Sequence, residues 1–247
     1  MHTEAKSFQH IGVFRLSALG DVVLVVPMIR ALQASFPQAR ITWIIDHSVY
    51  GILEGLTGVD FVVIDKPRSL KDFVAFRHKL KAYKFDVLLA MQASLRANLM
   101  YPLISAKRKI GFDRQRSRDL HHYFVKESIR PREEHLLDGF MAFAQHIGAS
   151  RPSNIHWDLP ISMDARQQLV SKIAEPYVVL HPAASKSERN WSVLNYQRLI
   201  AAIHEKYPQL KIILTGAPSD IALTSQLTQH LPFVSSLAGK TSLKQLT

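Results

Sequence analysis

The chain contains no cysteine. That excludes disulfide staples, thiolate metal sites and a cysteine nucleophile, and it fits a reducing cytoplasm. Long apolar runs are missing too. The longest, Val22 to Ile29, contains Pro27 and falls far short of the roughly 20 residues that span a bilayer. The first residues, Met1 to Lys6, lack the basic-then-apolar layout of a secretory signal. The expectation is a chain that does not cross a membrane. Acidic residues are scarce: 20 Asp and Glu stand against 31 Lys and Arg, a formal net charge of +11. That balance favours anionic partners such as nucleic acid, nucleotides, phosphorylated glycolipid or an anionic membrane face. There is no low-complexity tract, and 47% of the 247 residues are hydrophobic. A folded chain larger than one modest domain is expected.

What is present is a βα alternation. Ile11 to Leu16 reads as a buried strand, Ser17 to Gly20 as a tight turn, and Asp21 to Phe36 as a helix stopped by Pro37. Pro27 predicts a kink, because it lacks the N–H that a helix interior requires. Strands follow at Ile41 to Ile45, Phe61 to Ile64 and Phe85 to Met91, with a helix over Leu70 to Tyr83. A short helix from Leu95 to Ile104 precedes a basic strand and loop, Lys107 to Arg118, and another helix covers Glu133 to Ile147. Strands that alternate with helices imply right-handed βαβ units in a parallel sheet. Gly148 to Pro160 is rich in Gly, Pro, Ser and Asn, and the boundary between domains is expected there, loosely to Pro176. The pattern then restarts. Strands are expected at Tyr177 to Leu180, Lys211 to Leu214 and Phe233 to Leu237. Helices are expected at Trp191 to Tyr207 and Ser219 to His230, with another starting at Ser242. Two domains result, 1–160 and 176–247. The second shows three strands where a Rossmann-like domain usually carries roughly five or six, so it is expected to be incomplete.

Three segments could carry chemistry. In Leu16-Ser17-Ala18-Leu19-Gly20-Asp21 the first strand hands over to the first helix, at the sheet edge where open α/β proteins bind ligands. Asp21 can be an ordinary helix cap or, ionised in a cleft, a general base. The second segment, Lys107 to Arg118, holds six cationic residues among twelve, including Arg114, Arg116 and Arg118. Arginine offers a bidentate fork to phosphate or carboxylate. Gln92 and Arg96 leave the fourth strand at the same edge and can join it. A solvated surface loop is the alternative. The third, His181 to Trp191, follows the first strand of the second domain. Its small residues Ala183 and Ala184 expose backbone N–H groups, and Ser185, Lys186 and Arg189 add polar and cationic donors, which suits a diphosphate cradle. The alternative is a polar connection. His181 reads as a packed or hydrogen-bonding residue and Trp191 as core or a packing platform. The 12 histidines show no metal-ligand spacing, and neither a G-x-G-x-x-G fingerprint, a Walker A loop nor a G-x-S-x-G elbow is present.

Together these segments resemble glycosyltransferase family 9, the ADP-heptose:lipopolysaccharide heptosyltransferases. The match is carried by Arg15 to Val22 with Pro27, by Phe85 to Leu89 with Gln92 and Arg96, and by Gly111-Phe112-Asp113 with Arg118. It continues through His181 to Ala184, Arg189-Asn190-Trp191, Leu214 to Asp220 and Leu237 to Leu243. The resemblance implies a GT-B-like α/β fold of two Rossmann-like domains with parallel sheets, the second incomplete. It implies transfer of a heptose from ADP-heptose to the lipopolysaccharide inner core with inversion, with no cofactor and no metal. Asp21 would be the general base. Ser17, Gly20, Ala184, Ser185, Lys186, Arg189 and Gly216 would bind the donor, and Gln92, Arg96, Arg114, Arg116 and Arg118 the acidic acceptor. A cytoplasmic protein with peripheral contact at the inner membrane follows. The family usually has Lys where Arg189 stands, and its donor-contacting Asp-Thr-Gly-x-x-His segment would lie beyond Thr247.

Two other readings remain: a nucleotide-sugar-binding remnant without transferase activity, and a family member with another sugar donor. A nucleic-acid module is disfavoured, because the basic stretch lacks interleaved aromatics and no recognition-helix pattern is seen.

Overall fold

The computed structural model describes residues 7–130, 135–170, 176–184, 186–229 and 231–246. The chain divides into two compact units, 1–160 and 161–247.

In the first unit the elements run β1 (His10–Phe14), α1 (Leu19–Ser35), β2 (Arg40–Asp46), α2 (His47–Tyr50), β3 (Asp60–Ile64), α3 (Leu70–Leu80) and β4 (Lys84–Ala90). They continue with α4 (Leu95–Met100), a 3₁₀ turn (Tyr101–Leu103), β5 (Ser105–Gly111), α5 (His121–Phe124), β6 (Glu127–Ser128) and α6 (Leu136–His146). The six strands form one parallel sheet in the order β3-β2-β1-β4-β5-β6. That is the Rossmann order, and it reverses between β1 and β4. Central strands buried on both faces read as continuous apolar runs: Ile11, Val13 and Phe14 of β1 are fully buried, as are Val87 to Ala90 of β4. One face packs Phe14, Ile44 and Leu88 against Phe76 and Leu80 of α3, Ala97 and Met100 of α4, and Tyr101. On α1, which packs against α6, Val22, Val25, Val26, Met28, Ile29 and Leu32 are all buried. A helix apolar on all sides is one enclosed by its neighbours.

The second unit holds α7 (Met163–Val170), β7 (Tyr177–Leu180), a 3₁₀ turn (Ser187–Arg189), α8 (Val193–Lys206) and β8 (Lys211–Leu214). A 3₁₀ turn (Pro218–Asp220), α9 (Ile221–Thr228), β9 (Val234–Ser236) and a last 3₁₀ turn (Leu243–Leu246) complete it. Its sheet is parallel, in the order β7-β8-β9, around Ile200, Ile212, Leu214 and Leu227.

Several expectations are corrected. The first helix begins at Leu19, not Asp21, because extended Ala18 takes the cap position. Pro27 lies inside α1, as expected. The expected helix over 70–83 ends at Leu80, where the chain turns into β4. The one over 95–104 stops being α-helical at Met100, since Pro102 has no N–H to continue the ladder. The basic segment starts as a strand, as expected, with Lys107, Arg108 and Lys109 in β5. The expected helix from Glu133 is described from Leu136 on; Glu133 lies outside the described residues, as does His230. Ser219 and Asp220 sit in a 3₁₀ turn before α9, and the end after Ser242 is 3₁₀ as well. The stretch expected as a linker up to Pro176 carries α7.

Two glycines have opposite surroundings. A Cβ on Gly12 would meet Phe85 and Leu88 side-chain carbons at 2.9 Å, whereas one on Gly20 would meet nothing within 4 Å. Gly12→Ala should therefore destabilise the fold by about 1–3 kcal/mol through overpacking. Gly20→Ala should stay within about 1 kcal/mol of the parent, or exceed it. Urea unfolding of both variants checks the contrast.

Candidate active site

The carboxyl ends of β1 and β4 flank the point where strand order reverses, the usual ligand position in open α/β sheets. Arg15, just past β1, ties these ends together. Its Nη1 donates to the Met91 carbonyl at 2.6 Å, and its Nη2 pairs with Asp21 Oδ2. The guanidinium carbon stands 5.3 Å from the ring centre of Phe140. Its Nε is buried without a partner among the described residues. The Trp43 indole donates to the Arg15 carbonyl at 3.0 Å, and the Leu16 N–H donates to Gln92 Oε1 at 2.8 Å.

Asp21 is the third residue of α1. The same Oδ2 that meets Arg15 accepts the Ala18 N–H at 3.1 Å, so one oxygen is pinned by a cation and a helix-entry amide. Oδ1 has no partner among the described residues, and the side chain keeps 25% of its surface exposed. The result is a carboxylate with one held oxygen and one open oxygen. Space beside Gly20 adjoins it. Ser17 is half-buried and Gly20 exposed in the same turn. The expected acceptor contact Gln92 is here too, but its amide oxygen fastens the β1 end.

Four of the six cations of the basic segment are engaged with partners. Lys107 bridges Asp86 at 2.7 Å, Arg108 grips Glu127 through two bonds of 2.8 and 2.6 Å, and Lys109 donates to the Tyr101 carbonyl at 2.6 Å. Asp86 is held down to about 2 by Lys107 first and by the His10 N–H next. Arg116 is also committed. It binds the buried Asp113, donates to the Arg130 carbonyl at 2.8 Å and covers Phe112. Burial opposes ionisation of Asp113, but Arg116 and the N–H groups of Arg116 and Gln115 outweigh it, and its pKa is lowered. Arg114 and Arg118 are exposed, and their side chains make no ion pair among the described residues.

A buried network fastens this loop. The Phe112 N–H donates to His121 Nε2 at 3.3 Å, which leaves the ring proton on Nδ1 to donate to Asn98 Oδ1 at 2.7 Å. Asn98 Nδ2 then holds the Arg118 and Asp119 carbonyls at 3.2 and 2.7 Å. The Asp119 carboxylate accepts the Leu95 N–H at 2.8 Å, at the start of α4.

Arg96 opens elsewhere, onto a pocket of about 620 Å³ beyond the ends of β2 and β3. Lys66, Arg68, Lys79 and His47 share its lining with Asp46, which caps α2 through the Ser48 N–H at 3.0 Å. None of these partners stands out in the sequence. They are scattered from Asp46 to Lys79 and are united only by strand ends.

In the second unit the expected donor loop lies at the carboxyl ends of β7 and β8. The Ala184 N–H, expected to be free for a diphosphate, donates to Asn190 Oδ1 at 2.7 Å. Lys186 and Arg189 are exposed. Ser185 lies outside the described residues. Gly216 is there for packing: a Cβ would stand 2.9 Å from that of Asp220, whose carboxylate caps the Ala217 N–H at 2.7 Å. His181 Nδ1 lies 3.0 Å from the Thr215 hydroxyl, a hydrogen-bonding histidine as expected. Trp191 is 51% exposed against Tyr196, and so is not core. No group of three or more His, Asp or Glu side chains stands together as a metal site among the described residues, and none of their helices is long and apolar enough to cross a membrane.

Residues 73–247 match the sequence profile of glycosyltransferase family 9 (heptosyltransferase). The lipopolysaccharide core heptosyltransferase OpsX of Haemophilus influenzae is 33% identical, over all of this chain and 72% of that protein's length. The chain belongs to glycosyltransferase family 9. It is accordingly a glycosyltransferase. Among solved structures, a family 9 glycosyltransferase from Veillonella parvula superposes with a TM-score of 0.81 at 18% identity, over 98% of this chain and 72% of the other. The Escherichia coli heptosyltransferase WaaC, solved with ADP, gives 0.75 at 22% identity, over 96% and 77%. These likenesses fix the fold as that of the family's GT-B heptosyltransferases.

The buried network of this family 9 chain has a pH signature. Burial, then His122, pushes His121 down to about 4 from its usual 6.5. The unfolded chain therefore binds a proton that the folded chain refuses, and stability contributed by neutral His121 is lost as pH falls from about 6.5 towards 4. His10, also lowered mainly by burial, adds in the same sense. The melting temperature should drop between pH 7 and 5, and His121→Leu, less stable at pH 7, should show a shallower drop. Equal slopes would contradict this assignment.

Proposed function

We propose that this chain transfers a heptose from ADP-heptose to a hydroxyl of the lipopolysaccharide inner core, with inversion at the anomeric carbon and Asp21 as the general base. The observation that carries the reading is the carboxylate with Oδ2 fixed by Arg15 and Ala18 and Oδ1 left open at the sheet's switch point. Family membership and the names of the relatives supply the sugar and the acceptor. In the reaction the acceptor hydroxyl gives its proton to Oδ1 while its oxygen forms the new bond to the anomeric carbon. The bond to the ADP oxygen breaks on the opposite face and ADP leaves with the electron pair. Lys186 and Arg189, with backbone N–H groups of their loop, meet the charge that develops on the diphosphate, a task that metal ions perform in other transferases. The second unit is thus the donor side, and no metal is called for.

The first unit is the acceptor side. Lys66, Arg68, Lys79 and Arg96 around the 620 Å³ pocket, and Arg114 and Arg118 on the fastened loop, suit the carboxylates and phosphates of a core saccharide. Arg116 and Gln92 act by holding the loop and the β1 end. The work is done in the cytoplasm, at the membrane surface where a lipid-linked acceptor resides.

Asp21→Asn keeps the size of the side chain and removes the base. Transfer from ADP-heptose to a heptose-free core acceptor should fall about 10²-fold or more, while ADP binding followed by calorimetry stays unchanged. Parental turnover in the variant would sink the assignment.

A further inference from the structure

Four large apolar side chains stand out of the α4–α5 region into solvent: Leu95, Leu99, Leu120 and Tyr123, exposed by 59, 46, 64 and 74%. They form one patch. Leu95 and Leu99 are a turn apart on α4 and share a face, while Ala97, Asn98 and Met100 take the buried side. The helices α4 and α5 pack together, and α5 buries His121 and leaves Tyr123 out. The Asn98 bonds to the carbonyls of Arg118 and Asp119, and the Asp119 bond to the Leu95 N–H, lock the two helices and the turn between them into one piece. Leu120 is held there at φ 61°, a left-handed conformation uncommon for leucine. The fold thus presents these side chains on a rigid support.

The flanks are cationic. Arg114, Arg118, His122 and Lys126, which flank Leu120 and Tyr123 along the chain, are all exposed. Among the described residues of this turn, the carboxylate of Asp119 is engaged with the Leu95 N–H. A compact set of leucines and a tyrosine flanked by Arg and Lys is the chemistry that meets an anionic bilayer: apolar side chains enter the headgroup boundary, Tyr sits at the interface, and the cations meet lipid phosphates. The chain's charge of +11 works in the same direction. We propose that the α4–α5 face docks on an anionic phospholipid surface. It deepens the proposed function and rests on that reading for its purpose, since α4 begins three residues after Gln92, at the same sheet edge as Asp21. Docking there would bring that edge to a lipid-anchored acceptor.

Vesicle sedimentation tests the docking without any turnover, so it can fail while the transferase reading stands, and the reverse. The protein should sediment with phosphatidylglycerol–phosphatidylethanolamine vesicles and stay in solution with pure phosphatidylcholine. Leu120→Ser with Tyr123→Ser should weaken partitioning at least about tenfold, with an unchanged melting temperature because both side chains are already exposed. Arg114→Gln with Arg118→Gln should flatten the dependence on phosphatidylglycerol content. Three results would overturn the proposal: no binding of the parent to anionic vesicles, equal binding by the serine variant, or self-association lost in that variant while vesicle binding is unaffected. The last would mark the patch as a contact between copies.

Discussion

The ion pair between Arg15 and Asp21 is the constraint on which the rest of the first unit turns. One guanidinium joins the end of β4, through the Met91 carbonyl, to the first turn of α1, through the carboxylate, and rests on the Phe140 ring of α6. Both partners are mostly shielded from water, with 14 and 25% of their side chains exposed. A pair of this kind is retained for where it puts charge more than for net stability, because desolvation cancels much of the attraction. Here it divides the two carboxylate oxygens into one that holds position and one that can do chemistry. Removing Arg15 would leave a carboxylate without its cation at the most central point of the sheet.

The positive charge of the chain is spent in two ways. Along β4, β5 and β6, Lys107, Arg108 and the acids Asp86 and Glu127 neutralise one another and align neighbouring strands. Beyond the carboxyl edge the cations of the pocket and of the 113–120 loop outnumber their acids. A surface that is balanced along the strands and positive at the mouth focuses its field where anionic substrates would enter. The Asn98–His121 network keeps part of that mouth in place with neutral hydrogen bonds, which salt does not screen.

The parallel strands and the main helices were legible because buried parallel strands and enclosed helices write continuous apolar runs; the order of the strands was not. The place of Asp21 in the first turn of the first helix was legible as well, since a strand-turn-helix junction at a sheet edge is a local pattern. The misses share a cause: they depend on partners that folding supplies, some far along the chain and some only a few residues away. Nothing near His121 announces a helix, because α5 exists where Asn98 secures the turn before it. Lys66, Arg68 and Lys79 look like ordinary surface lysines and arginine until β2 and β3 bring them round Asp46. Arg116 looks like its neighbours Arg114 and Arg118, yet Asp113 is buried beside it and absorbs its charge. Ala184 seems to offer an amide until Asn190, six residues on, folds back to accept it.

The account rests on a single displacement, in which one open carboxylate oxygen takes a proton and no side chain becomes a covalent nucleophile. The configuration of the product tests that most directly. NMR of the new glycosidic linkage, formed from ADP-heptose of known anomeric configuration, should show the opposite configuration at the anomeric carbon. Retention would require a double displacement or a front-face mechanism, and would contradict the role given to Asp21.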